Sequence, residues 1–251
     1  MLKNSKIYVC GHNGMVGSAI MNNLLSSGYE NLITASRSEL NLLNQSEVSY
    51  FISNNKPDYV FLAAAKVGGI HANDSLSAEF IYENLMIQNN VIHSSYENQV
   101  KKLLFLGSSC IYPKKSKQPI KESYLLTGAL EKTNEAYALA KIVGLKMCEF
   151  YNSQYNKSYF TLMPCNLYGP NDNFDLKKSH FLPALIKKFI QSKKSKKKEV
   201  EIWCSGKPKR EIMYVDDIAS AIFFIIKKKI FKDKFLINYL KKESVINVGS
   251  D

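Results

Sequence analysis

Tyr137 and Lys141 stand four residues apart in the run Tyr137-Ala138-Leu139-Ala140-Lys141, a spacing that places both side chains on one face of a helix. An ammonium beside a phenol favours the phenolate and lowers the tyrosine pKa towards neutrality. A tyrosine tuned in this way gives or takes a proton at a carbonyl or carbinol oxygen. The spacing alone is weak in a chain with 15 Tyr and 32 Lys, but its company gives it weight. Upstream lies Leu106-Gly107-Ser108-Ser109-Cys110-Ile111-Tyr112-Pro113, where hydroxyls and a thiol follow an apolar run. Near the N-terminus, Gly11-His12-Asn13-Gly14-Met15-Val16-Gly17 has the spacing GxxGxxG. Glycines let the backbone turn tightly and approach a pyrophosphate, and a following helix N-terminus adds N–H donors and partial positive charge. Together these residues point to proton transfer beside a bound dinucleotide.

The elements that must position them alternate. Residues 6–10, 32–35, 59–65, 102–106 and 159–163 read as short apolar or β-branched strands. Residues 15–27, 45–54, 78–98 and 135–155 read as helices, the third with Ile81, Leu85 and Ile92 on an apolar stripe. This alternation predicts an α/β fold, a Rossmann-type doubly wound parallel sheet covered on both faces. The glycine loop then opens the first strand–helix unit, and Ser108 and Cys110 follow the fourth strand. Open sheets bind ligands at those carboxyl ends.

After Pro164 the pattern loosens. Residues 166–178 read as a turn-rich loop, 182–191 as a helix, 200–203 as a short strand, 216–227 as a helix and 246–249 as a last strand. Residues 1–165 are expected to form the dinucleotide-binding domain. Residues 166–251 are expected to form a partial substrate-binding region, interleaved with the last Rossmann elements. A chain that stops just past an apolar strand also predicts truncation of a longer one.

Composition narrows the function classes. With 45% hydrophobic and 22% charged residues among 251, disorder and low complexity are excluded for most of the chain. No apolar run approaches the ~18 residues of a membrane span, and no signal-peptide core precedes Cys10, so the expectation is a cytoplasmic protein without a membrane partner. The net charge of +12 arises from 32 Lys and 2 Arg, Arg37 and Arg210. A nucleic-acid reader would use more Arg for bidentate contacts, so no nucleic-acid partner is expected. The run Lys193-Lys194-Ser195-Lys196-Lys197-Lys198 reads as a solvated loop. The five Cys (10, 110, 148, 165 and 204) are odd in number and lack CxxC spacing, which indicates neither a disulfide framework nor a zinc site.

The dinucleotide is read from the end of the second strand, Ala35-Ser36-Arg37-Ser38-Glu39. Arg37 comes first and suits a 2′-phosphate, which favours NADP(H). Glu39 suits ribose hydroxyls and keeps NAD open.

The glycine loop, the serine after the fourth strand and the Tyr–Lys pair resemble the extended short-chain dehydrogenase/reductase superfamily. Three longer runs, Ala63-Ala64-Ala65-Lys66-Val67-Gly68-Gly69-Ile70, 104–113 and Asn166-Leu167-Tyr168-Gly169-Pro170, resemble the GDP-L-fucose synthase family. That resemblance implies an NADPH-dependent enzyme that epimerises C3 and C5 of GDP-4-keto-6-deoxy-mannose and reduces C4. The alternative is a C4 reductase of another GDP-4-keto sugar, such as a heptose. By resemblance, Cys110 and His180 exchange the C3 and C5 protons, Tyr137 protonates the developing alkoxide, Lys141 tunes Tyr137 and holds the nicotinamide ribose, and Ser108 hydrogen-bonds the carbonyl oxygen. The implied cofactor site adds Arg37, Asn41, Leu42, Ala63, Ala64, Ala65, Leu106, Gly107, Pro164, Asn166, Leu167 and His180 to the loop from Gly11 through His12, Asn13, Gly14, Met15 and Val16 to Gly17. The implied substrate site comprises Ser109, Cys110, Asn166, Lys188, Trp203 and Arg210. The resemblance also implies a homodimer that joins helices 78–98 and 135–155 in a four-helix bundle.

Overall fold

The computed structural model describes residues 1–176, 178–202, 207, 209–227 and 245–249. The strands are β1 (Ile7–Cys10), β2 (Leu32–Ile33), β3 (Tyr59–Leu62), β4 (Lys102–Leu106), β5 (Tyr159–Pro164), β6 (Asn166–Tyr168), β7 (Ile212–Tyr214) and β8 (Val245–Val248). The helices are α1 (Met15–Ser26), α2 (Gln45–Asn55), α3 (Ile70–Ser75), α4 (Ser77–Glu97), α5 (Glu135–Tyr155), α6 (Phe181–Lys194) and α7 (Val215–Lys227).

The main sheet is parallel, in the order β2-β1-β3-β4-β5-β8. Its strands are mostly apolar because both faces are covered, with Thr161 of β5 and Asn247 of β8 among the polar exceptions. Successive side chains point to opposite faces. Ile7, Val9, Phe61 and Leu104 therefore meet Ile20 and Leu24 of α1 and Ile218 and Ile222 of α7. Tyr8, Cys10, Val60 and Phe105 meet Val48 and Ile52 of α2, Val91 and Ile92 of α4 and Cys148 of α5. Each large aliphatic side chain so buried contributes about 1.5–3 kcal/mol of transfer free energy. After β1 the chain places β2 on one side and β3 on the other, which makes the β1–α1 turn a topological switch point, where such sheets take ligands.

Local signals set the element ends. Asn44 caps α2 by accepting from the N–H groups of Ser46 (3.0 Å) and Glu47 (3.3 Å), and its amide donates to the Glu47 carboxylate at 2.8 Å. Glu47 also accepts from the Asn41 N–H at 3.0 Å, so the cap is a variant of the capping box in which the acid takes the Asn44 side-chain amide instead of its backbone N–H. α2 ends at Lys56, which is left-handed at φ 47° before Pro57.

The structure departs from the sequence expectations in several places. β3 ends at Leu62 rather than residue 65, because Asn84 captures the backbone that follows. Its amide accepts from Lys66 N–H and donates to the Lys66 carbonyl, both at 3.0 Å. On α4 the buried stripe is Phe80, Asn84, Gln88, Val91, Ile92 and Ser95, so Ile81 and Leu85 are only half-buried. The expected loop 166–178 begins with β6, which pairs in parallel with β7, Asn166 opposite Ile212. Residues 200–202 form no strand, and Trp203 and Cys204 lie outside the described residues. α6 continues to Lys194, so the lysine run begins inside a helix.

Candidate active site

At the end of β1, Gly11 takes φ +86°, and a Cβ there would lie 2.7 Å from the Ala64 nitrogen. A Cβ on Gly17 would collide with the Gly11 carbonyl. The turn thus requires glycine twice, once for left-handed backbone and once for close approach. It packs on Ala63 and Ala64, which the resemblance assigns to the same site. Gly14 caps α1 without a side-chain hydrogen bond, and the first turn carries no acid. The N–H groups of that turn are therefore left for an outside acceptor. His12 Nδ1 is buried with no hydrogen-bond partner among the described residues. A donor-rich cradle with an orphaned ring nitrogen fits the diphosphate of a dinucleotide.

At the end of β2, Arg37 is 84% exposed and its guanidinium stands 4.0 Å from Glu83, whose other carboxylate oxygen pairs with Lys66. Glu39 turns back on its own segment. Its carboxylate accepts from the Ser36 N–H and the Ser36 hydroxyl, both at 2.7 Å, and these bonds hold its pKa below the usual carboxylate range. Asn41 accepts from Leu43 N–H at 3.1 Å, and the Leu42 carbonyl accepts from the buried Asn90 amide at 2.9 Å.

Past β4 and β5, Ser108, Cys110, Tyr137 and Lys141 come together. Ser108 opens a short 3-10 turn over Ser109–Ile111, and its hydroxyl lies 3.0 Å from the Cys110 thiol. Lys141 is 3% exposed. Its ammonium donates to the Leu106 carbonyl at 2.7 Å and sits 4.6 Å from the Phe105 ring centre and 5.6 Å from that of Tyr137. Phe80 meets the Tyr137 ring edge-on at 6.3 Å. Gly107 N–H donates to Leu162 at 2.9 Å, so the β4 end lies beside Pro164 at the β5 end. Asn166 donates to the Glu211 carbonyl at 2.9 Å, and Leu167 pairs with Met213.

Burial governs the electrostatics of this cluster. It pushes the Tyr137 phenol above its ordinary value, with the Cys110 charge adding and Ser108 opposing. Burial lowers Lys141 to about 8. It raises Cys110, against the opposing pulls of Ser108 and Lys141. The expectation that Lys141 draws Tyr137 towards neutrality is therefore corrected. Desolvation raises the phenol, the opposite direction to that expectation.

The remaining expected residues belong to the second layer. His180 is the N-cap of α6, and the preceding segment locks onto the loop after β3. Gly69 N–H donates to the Lys178 carbonyl at 2.8 Å, and a Cβ on Gly69 would collide with the Ser179 carbonyl. Although His180 is accessible, crowding around its ring lowers its pKa, and Asp172 opposes that shift. A pocket of about 230 Å³ opens beside it, lined by Tyr168, Asp172, Phe174, Leu182, Ile186 and Tyr214 among others. Lys188 donates to the Glu201 carbonyl and exposed Arg210 to that of Lys209, each at 3.0 Å. No cluster of His, Cys, Asp and Glu suited to a metal ion occurs among the described residues.

Sequence reasoning missed Asn84 and Gln88. Gln88 donates to the Ala140 carbonyl at 2.6 Å, next to Lys141, as Asn84 secures Lys66. Polar residues at i and i+4 on the core stripe of α4 were the available signal.

A glycine turn at the switch point of a parallel sheet, with Ser, Tyr and Lys gathered past β4, defines the class of dinucleotide-dependent enzymes of the short-chain type. The model of the NAD dependent epimerase/dehydratase family matches residues 7–249. GDP-L-fucose synthase of Escherichia coli K12 is 48% identical over 249 residues, 99% of this chain and 77% of that protein. GDP-L-fucose synthase 1 of Arabidopsis thaliana is 55% identical over 224 residues, 89% of this chain and 69% of that protein. A GDP-D-glycero-L-gluco-heptose synthase from Campylobacter jejuni, solved in the presence of NADPH, superposes with a TM-score of 0.89 at 42% identity, covering 99% of this chain and 81% of that one. The chain belongs to the NAD dependent epimerase/dehydratase family and, within it, to the GDP-L-fucose synthase group.

Proposed function

We propose that the protein is an NADPH-dependent epimerase/reductase that forms GDP-L-fucose from GDP-4-keto-6-deoxy-D-mannose. The observation that carries this reading is the Ser108–Cys110–Tyr137–Lys141 cluster, with Lys141 buried and the other three half-buried, where the carboxyl end of β4 meets the first turns of α5. The bound NADPH supplies the hydride that reduces C4. Tyr137, held protonated by burial, gives its proton to the C4 oxygen. Ser108 donates a hydrogen bond to that oxygen, and the Lys141 ammonium adds positive field across the Tyr137 ring. The C4 carbonyl acidifies the hydrogens at C3 and C5. Cys110 and His180, a thiol and an imidazole from different layers, take and return those protons.

The glycine turn holds the diphosphate and Arg37 the 2′-phosphate, with Asn41, Leu42, residues 63–65 and 164–167 completing the cofactor walls. Residues 166–251 contribute part of the sugar site, where Lys188, Trp203 and Arg210 meet the GDP moiety through charge and stacking. Tyr82, Leu139, Val143 and Phe150 on α4 and α5 are exposed apolar side chains, which supports a homodimer packed through these helices. No helix among the described residues is long and apolar enough to cross a membrane.

The test is NADPH oxidation at 340 nm with GDP-4-keto-6-deoxy-D-mannose, followed by identification of the product. GDP-L-fucose supports the reading, and absence of oxidation with NADPH still bound overturns it. The likeness to a heptose synthase supports a second reading, C4 reduction of a GDP-4-keto-heptose. Steady reduction without solvent deuterium at C3 or C5 would favour it.

A further inference from the structure

Two four-residue boxes follow one another after β2. Asn44 and Glu47 form the first turn of α2, the ordinary use of such a box. Ser36 and Glu39 have the same spacing, and here the acid reaches back to the Ser36 backbone N–H where Glu47 takes the Asn44 side-chain amide, yet no helix follows. The segment makes one turn, closed by Glu39 N–H to the Ser36 carbonyl at 3.1 Å and Leu40 N–H to the same carbonyl at 3.0 Å. It then stops at Leu40, which is buried. What that single turn carries outward is Arg37.

The hydroxyl chemistry fixes the polarity of the box. Ser36 has one hydroxyl proton, and the carboxylate of Glu39 can only accept it at 2.7 Å. In the 2.9 Å contact between Ser36 and Ser38, Ser38 is therefore the donor. One Glu39 oxygen thus accepts both the backbone and the side-chain proton of Ser36. An acid engaged in this way shapes its turn instead of reaching for ribose hydroxyls.

We infer that Glu39 is a positioning residue for the 2′-phosphate site: by capping the turn from Ser36 to Leu40 it fixes the direction of Arg37, and it is not a ribose ligand. This inference rests on the NADPH reading above. Two points support it. Arg37 meets only a distant carboxylate, Glu83, at 4.0 Å, so its guanidinium is directed by its backbone more than by partners. The two Ser36 hydrogen bonds that form the cap also lower the pKa of the Glu39 carboxylate, so the cap favours its ionised form.

The experiment measures dissociation constants of NADPH and NADH by titration calorimetry, with thermal melting as a control, for the wild type, Glu39→Ala and Glu39→Gln. A glutamine carbonyl still accepts both Ser36 protons, so it conserves the cap without the charge. Glu39→Ala is expected to weaken NADPH about tenfold, the equivalent of 1.4 kcal/mol, and NADH less than twofold, with the melting temperature unchanged. Glu39→Gln is expected to restore NADPH affinity to within about threefold of the wild type. Equal or greater loss of NADH affinity in Glu39→Ala overturns the inference, because it marks a ribose ligand. A glutamine variant as weak for NADPH as the alanine variant also overturns it. A wild type that shows no preference for NADPH over NADH fails the cofactor reading itself, a result distinct from both.

Discussion

The two layers around the cleft solve different problems. Past β4 and in the first turns of α5, Ser108, Cys110, Tyr137 and Lys141 are crowded together, and the Lys141 ammonium is committed to a carbonyl only 2.7 Å away. On α6 and just before β7, Lys188 and Arg210 reach backbone carbonyls at 3.0 Å, and His180 stands accessible at a helix cap. The first layer holds its groups against thermal motion by burial and by hydrogen bonds. The second leaves charge in water, where an exposed pair or ion contributes little until a ligand desolvates it. Under the proposed function, the contrast places a preorganised reacting centre beside a recognition layer that the nucleotide sugar would complete on binding.

The sharpest way to break this comparison is Tyr137→Phe. Removing the proton donor from a preorganised centre is expected to lower kcat for C4 reduction by about 10²–10⁴, with NADPH affinity within a few-fold of the wild type. A loss confined to KM would show that Tyr137 only binds. Next in size is Cys110→Ala, which is expected to abolish deuterium uptake from solvent at C3 or C5 while an already epimerised 4-keto sugar is still reduced. Mass spectrometry of the recovered sugar reads this directly. On the recognition side, Arg210→Ala is expected to raise KM for the GDP sugar about tenfold with little change in kcat, the signature of uniform binding. Equal effects on kcat would erase the distinction between the layers.

The smallest effect concerns stability. Lys141 has a pKa near 8 in the folded chain against an ordinary 10.5. Between these values the unfolded chain holds a proton that the folded chain has lost, so this group makes stability rise with pH across that window. Below about pH 8 both states are protonated, and the cost of burying the ammonium is present in full. Lys141→Met is expected to lack that rise. Urea titrations of both proteins at pH 7, 8.5 and 10 isolate the difference. A parallel response in the two would mean that the ammonium is not desolvated.

Much of the main sheet is legible in the sequence because its strands are mostly apolar and its first turn demands glycine. β4 and α5 match the expected 102–106 and 135–155 at both ends. The β6–β7 pair was not legible. Three-residue strands some 45 residues apart carry no local period, and only tertiary pairing makes them strands. α3, with the sequence IHANDS, is too short for a periodic signal. On α4 the apolar residues Ile81 and Leu85 misled, because Asn84 and Gln88 take the core face instead. Each of them satisfies a backbone group there, which makes a buried amide affordable. In the site, the Tyr–Lys spacing was legible, but the sign of the tyrosine shift was not. It depends on how completely the surrounding chain excludes water, which spacing cannot express.

The place of β8 has a consequence for how the molecule forms. Val245 pairs with Thr161 at the edge of the cofactor sheet, across more than eighty residues of chain. During synthesis β5 therefore emerges and waits with an open edge, its N–H and C=O groups unclaimed, until the last described strand is made. Long-range parallel pairing of this kind is slow, and an open edge invites other chains. The interval before β8 docks is when the growing sheet is most exposed to aggregation and most dependent on chaperones.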